Sequence, residues 1–139
     1  MSTRTDAYIQ ATLDLIYRNT TFAGIGDVTG LVGSTTEGSL YIALLTASDE
    51  VAYIGYARVA VARSAAGWSR TGNVTSNVSD LNFTIVPAGA TPQTATRAAI
   101  YTVASGGTQL HVADLETEVP VQAGVQPVIS AGALTITGS

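Results

Sequence analysis

The sequence predicts a mainly β fold: an antiparallel β-sandwich or jelly roll with one N-terminal α-helix. Three observations carry this. From residue 40 onward, seven or eight short apolar or alternating segments are separated by turn signals, the pattern of a sandwich built from short strands. Helical segments do not alternate with these strands, which disfavours a parallel α/β sheet. A single stretch, 6–18, repeats its apolar residues at spacings of three and four, the period of a helix with one buried face.

In that stretch Tyr8, Ile9, Thr12, Leu13, Ile16 and Tyr17 fall on related faces. Thr5 suits the N-cap, and Asp6 suits the positive end of the helix dipole. Arg18 suits the negative end, and Asn19 is a reasonable stop. The helix either packs on its own β domain or docks on a neighbouring subunit. Residues 20–38 are rich in Gly, Thr and Ser and read as an extended arm, longer than most loops inside a domain. The expected division is therefore 1–38, helix and arm, and 39–139, β-sandwich.

Residues 40–45 form a continuous apolar run, as in a strand covered on both faces. The stretch 51–63 is rich in Tyr, Val and Ala and reads as the next strand. Residues 81–86 and 99–103 alternate apolar and polar positions. Gly106 and Gly107 mark a turn, and 110–115 follows as the partner strand, which makes this the best hairpin candidate. Val119 and Val121 start another short strand. Segments 125–130 and 133–137, divided by Ala131 and Gly132, complete the set.

Composition limits the function. A chain of 139 residues suits one domain, with no cysteine for disulfides or thiol chemistry. Charged residues make up 12%, about half the usual share of roughly 25%. A large assembly that covers neutral surface would account for this. All six basic residues are Arg; the planar guanidinium suits protein interfaces, and a GC-rich genome would give the same bias. A net charge of −4 argues against a nucleic-acid partner. The N-terminus lacks the apolar core of a signal peptide, and no apolar run reaches membrane-spanning length, so no membrane partner is expected.

Few residues point to chemistry. His111 is the single histidine, so no multi-histidine metal site can form, and a structural or surface role is preferred over acid-base catalysis. Asp114, Glu116 and Glu118 share one face if their strand is unbroken. Such a row suits a solvated edge that discourages strand pairing, an Arg partner from another subunit, or Ca²⁺. Asp49 and Glu50 are adjacent and read as turn residues. Gly24, Gly26 and Gly30 miss the dinucleotide-binding spacing by one residue. Trp68, the only tryptophan, with Arg63 and Arg70 nearby, is either a core residue whose indole N–H meets a carbonyl or an interface anchor. No catalytic residue, cofactor or metal is expected.

Several segments resemble one family. They are Leu40-Tyr41-Ile42-Ala43-Leu44-Leu45-Thr46-Ala47, then Gly55-Tyr56-Ala57-Arg58, then Trp68, and finally Ala131-Gly132-Ala133-Leu134-Thr135-Ile136-Thr137. Ala99-Ile100-Tyr101 before Gly106-Gly107, and Leu115 with Val121 and Gly124, extend the match. In order and spacing they resemble small phage virion proteins often labelled tail-fibre-like. The resemblance implies a noncatalytic virion component on a β-sandwich. No coiled-coil, collagen-like or β-helical repeat is present to build a fibre shaft. The leading expectation is thus a capsid decoration (cement) protein on the phage head exterior, present in the host cytoplasm during assembly. It would be a homotrimer bridging copies of the major capsid protein. The alternative is a tail, baseplate or fibre-associated component that binds a receptor or glycan. The expected interface is the helix and arm, with Arg4, Tyr8, Leu13, Tyr17, Arg18, Phe22, Arg58 and Trp68.

Overall fold

A computed structural model describes residues 2–27 and 29–139. Met1 and Val28, which fall within the expected helix-and-arm segment 1–38, lie outside the described residues. The chain is mainly β, with one N-terminal helix and antiparallel sheets, consistent with a β-sandwich.

Helix α1 spans Asp6–Arg18, as its periodicity predicts. Thr5 is extended, and its hydroxyl accepts the Tyr8 N–H. Asn19 ends the helix in the left-handed conformation, which Asn tolerates better than most residues. The helix lies on its own chain: Ile9, Leu13 and Tyr17 enter the same core as the strands.

Four strands form the larger sheet: β1 (Ser39–Leu45), β2 (Val59–Ala62), β6 (Gln93–Tyr101) and β7 (Gln109–Val121), in the order β2-β1-β6-β7. A three-stranded sheet joins β3 (Trp68–Thr71), β4 (Val74–Asn77) and β9 (Thr135–Thr137). A two-stranded sheet joins β5 (Leu81–Asn82) and β8 (Val128–Ile129). Leu40, Ile42 and Leu44 from one face of β1, with Val61 and Ile100, share one core cluster with Trp68, Phe83, Leu134 and Ile136. The opposite face of β1 has its own small cluster, Ala43 and Leu45 with Ala99 and Tyr101. Residues 40–45 are thus covered on both faces, as their continuous apolar run requires.

Several expectations need correction, among them the segments 125–130 and 133–137, which are strand only over β8 and β9. The stretch 51–63 is strand only over β2. Gly55 takes a left-handed φ of 88°, the Tyr56 N–H bonds the Tyr53 carbonyl, and the chain turns there. Residues 81–86 are strand only over β5; beyond it, the Phe83 and Val86 N–H groups still bond the Pro127 and Val125 carbonyls. Strand β6 begins six residues before the expected 99 and ends at Tyr101. The β3–β4 hairpin was not expected, because its polar sequence, WSRT and VTSN, lacks clear alternation. The Gly106-Gly107 hairpin is as expected, with both glycines at positive φ.

Candidate interaction surfaces

The segment 50–58 leaves the regular ladder and is held by charge. The Glu50 carboxylate receives Nε and Nη2 of Arg58 at 3.1 and 3.0 Å, and the Tyr56 hydroxyl at 2.8 Å. Arg58 Nη1 donates to the Val103 and Gly106 carbonyls, and its guanidinium lies 3.6 Å from the Tyr101 ring centroid. The Tyr56 hydroxyl also accepts the Leu44 N–H. Burial pushes the Glu50 carboxyl up, but the bonds from Arg58 and Tyr56 and the Arg58 charge outweigh this and hold it below its ordinary value. Arg58 is 8% exposed, so this expected interface residue is spent inside its own chain. Glu50, expected to be a turn residue, is the partner that adjacency in sequence did not reveal. It pairs with Arg58 across a loop.

A second set of bonds fixes α1. Arg63 donates to the Ile16 and Leu15 carbonyls at the helix C-terminus. Arg70 pairs with Asp14 at 2.7 Å, and Arg18 reaches the same carboxylate at 3.5 Å. The Tyr17 hydroxyl bonds Nδ1 of His111 on β7. Burial pushes the Tyr17 phenol well above its ordinary range. Burial, and then the Arg4 charge, hold His111 below its usual value. Trp68 is fully buried and meets Tyr17 edge to face. It is a core residue, as a chain with two Phe needs, but its indole N–H meets no carbonyl among the described residues. Leu13, Tyr17 and Trp68 therefore present no surface to a partner. Arg4, Tyr8, Arg18 and Phe22 retain some.

The outer side of α1 carries an apolar strip. The Tyr8 and Phe22 rings lie 6.2 Å apart. Phe22 and Leu31 exchange both backbone hydrogen bonds, so the arm is a small hairpin with both side chains on one face. Tyr8 is 47% exposed, Leu31 48% and Val32 66%. The hairpin is tied to the helix end by Asn19, whose side chain bonds the Ser34 N–H and carbonyl.

On the far side of the sheet, β7 is an edge strand with a break. Ala95 pairs with Val119 and Arg97 with Asp114, so Thr96 alone faces residues 115–118. This is an enlarged bulge, four residues against one where the common forms have two against one. It separates the two short strands that the sequence suggests at 110–115 and 119–121, and it ends the parity that placed Asp114, Glu116 and Glu118 in one row. All three acids are exposed. Among the described residues, no group of three His, Asp or Glu could hold a metal ion. Between the bulge and the segment 125–133 runs a mostly apolar groove of about 350 Å³, lined by Leu115, Val119, Val125, Pro127 and Ala133.

A family model described as podophage GP4 fiber I protein gp80 matches residues 5–137. The chain belongs to this family. It is accordingly a phage virion structural protein, and its place is in the virion. The match spans α1, the arm and every strand of the described residues, leaving Arg4 just outside it. A search of curated proteins gave no match.

Proposed function

We propose that this chain is a noncatalytic structural module of the podophage fibre assembly, attached to a fibre and not forming its shaft. The single observation that carries this reading is the family match to a fibre protein over nearly the whole chain. The fold supports the attached role: the helix and strands of the described residues pack around one main core, whereas a shaft needs an element that repeats along an axis. The polar groups in the 50–58 loop are engaged within the chain, which suits a rigid scaffold.

Capsid decoration, bridging major capsid proteins on the head exterior, is the second reading. The small share of charged residues favours it, because a shell lattice covers neutral surface. Separating purified phage into heads and tails and measuring this chain in each by mass spectrometry distinguishes the two. Recovery with the tail fraction, and gold-labelled antibody on fibres by electron microscopy, is the expected result. Recovery with heads at a copy number matching the lattice would overturn the fibre reading and establish the decoration role.

A further inference from the structure

A second concavity lies where the 50–58 loop meets the β6–β7 turn. It is open, holds about 460 Å³, and its lining includes Glu50, Tyr53, Tyr56, Arg58, Ala104 and Ser105. We infer that it is a binding site for one neutral sugar ring, packed on the two tyrosines and donating a hydroxyl to Glu50. Charge decides this class of ligand. Arg58 spends four N–H donors on Glu50, Val103 and Gly106, of the five that a guanidinium carries. An anion would find almost no free donor and would face the Glu50 carboxylate. A cation would sit beside a guanidinium already held in the fold. The charged residues lining the site are these two, and their charges cancel, so the site is polar without net charge. Glu50 keeps room for one more partner. Its Oε2 accepts both the Tyr56 hydroxyl and Arg58 Nε, whereas Oε1 accepts Arg58 Nη2 alone; each oxygen has two lone pairs. The Glu50 side chain is 30% exposed. The group that fits there is a neutral donor, and a hydroxyl is one.

The rings give the second reason. Tyr53 and Tyr56 meet edge to face with centroids 5.5 Å apart, and both are half-buried, so they supply an apolar wall. Ser105, exposed on the turn side, can donate and accept. A pyranose has the matching double character: hydroxyls around its edge, and an apolar C–H face that packs on an aromatic ring. The site is also built before a ligand arrives. The Gln93 side chain holds both the N–H and the carbonyl of Ala52. The Tyr53 hydroxyl donates to the Thr84 carbonyl at 2.6 Å, and Arg58 ties the loop to the turn. Little ordering cost therefore falls on binding. A single sugar ring should bind with a dissociation constant on the order of millimolar, and copies arrayed on a virion would add avidity. This site is a property of the chain itself and does not depend on whether the virion position is a fibre or the head.

Two-dimensional amide NMR of the purified chain tests this. The probes are the neutral methyl glycosides of glucose, galactose, mannose, rhamnose and N-acetylglucosamine, each raised to roughly 100 mM. At least one should give saturable shifts confined to 50–58 and the β6–β7 turn. The charged sugars glucuronate and glucosamine should bind at least about fivefold more weakly than the best neutral one. Ala104→Trp, at an exposed turn position, fills the pocket and should cost at least about tenfold in affinity. Ser105→Ala removes one hydrogen-bonding group and should cost about threefold. Thermal melting confirms that both variants keep the fold. Methyl glycosides represent a residue within a glycan chain, and free reducing sugars run beside them represent a soluble ligand; binding of either supports the site. The absence of saturable shifts with every neutral sugar, or shifts centred elsewhere, would overturn the proposal. So would preference for a charged sugar, or binding that Ala104→Trp leaves unchanged.

Discussion

Two stretches depart from the ladder of the larger sheet, 50–58 and 115–118, and they are finished in opposite ways. In the first, a guanidinium inside the fold satisfies a carboxylate and two backbone carbonyls. In the second, the backbone has no register partner in β6, Leu115 packs against the core while Glu116, Thr117 and Glu118 are exposed, and an apolar groove lies alongside. Irregular backbone is costly only where its polar groups go unpaired away from water. A loop closed by its own side chains serves the fold. A bulge left open at an edge is free to serve a partner.

Arg58→Ala strikes the closed region and should have the largest effect on stability. Truncating one member of this part-buried pair leaves Glu50 charged without its partner and removes the bonds to two carbonyls, a loss of about 2 to 3 kcal/mol. Denaturant unfolding should show a lower midpoint with an unchanged slope. Glu50→Gln should recover much of that loss when combined with it, and a failure to recover would mean that the carbonyl bonds of Arg58 dominate. Next comes Gly107→Ala in the adjoining turn. Its φ is 75°, and an added Cβ would meet the Val103 side chain. A loss of about 2 kcal/mol is expected from the left-handed backbone alone.

Tyr17→Phe keeps the ring packing on Trp68 and removes only the bond to His111, for a loss of about 1 kcal/mol. His111 itself has a pH signature, set by its burial and then by the Arg4 charge. The folded His111 titrates below 6.5, so between these two values the unfolded chain binds the extra proton. Stability is full above pH 6.5 and declines as pH falls toward the folded value. His111→Gln should flatten that part of the profile. The further loss at lower pH, as Glu50 is protonated, should remain. The smallest effect belongs to the open region: Glu116→Gln with Glu118→Gln should move stability by less than about 0.5 kcal/mol. A larger change would show that the bulge belongs to the fold after all, and the comparison would fail.

Local features were legible in the sequence, and distant pairings were not. Both ends of α1 could be read because Thr5, Asp6, Arg18 and Asn19 act on backbone within a turn of themselves. The twin glycines of the β6–β7 hairpin could be read for the same reason. Tyr53-Ile54-Gly55-Tyr56 has strand-forming residues, yet its two phenols are drawn to Thr84 and Glu50, and the chain bends to deliver them. Glu50 could not be paired with Arg58 from spacing, since seven residues intervene and a loop sets their geometry. The acidic row was misplaced because parity assumes an unbroken pleat. Nothing in Leu115-Glu116-Thr117-Glu118 announces that four residues will face one. The arm was recognised by its composition, but its pairing of Phe22 with Leu31 was not.

The Arg63 clasp on α1 also sets an order of events during synthesis. The helix leaves the ribosome well before the guanidinium that holds its last carbonyls, and its phenol at Tyr17 waits for a histidine 94 positions later. A lone helix of 13 residues is marginal in water. The helix is therefore made well before the groups that secure it, and it stays undocked until the strands carrying Arg63 and His111 have followed.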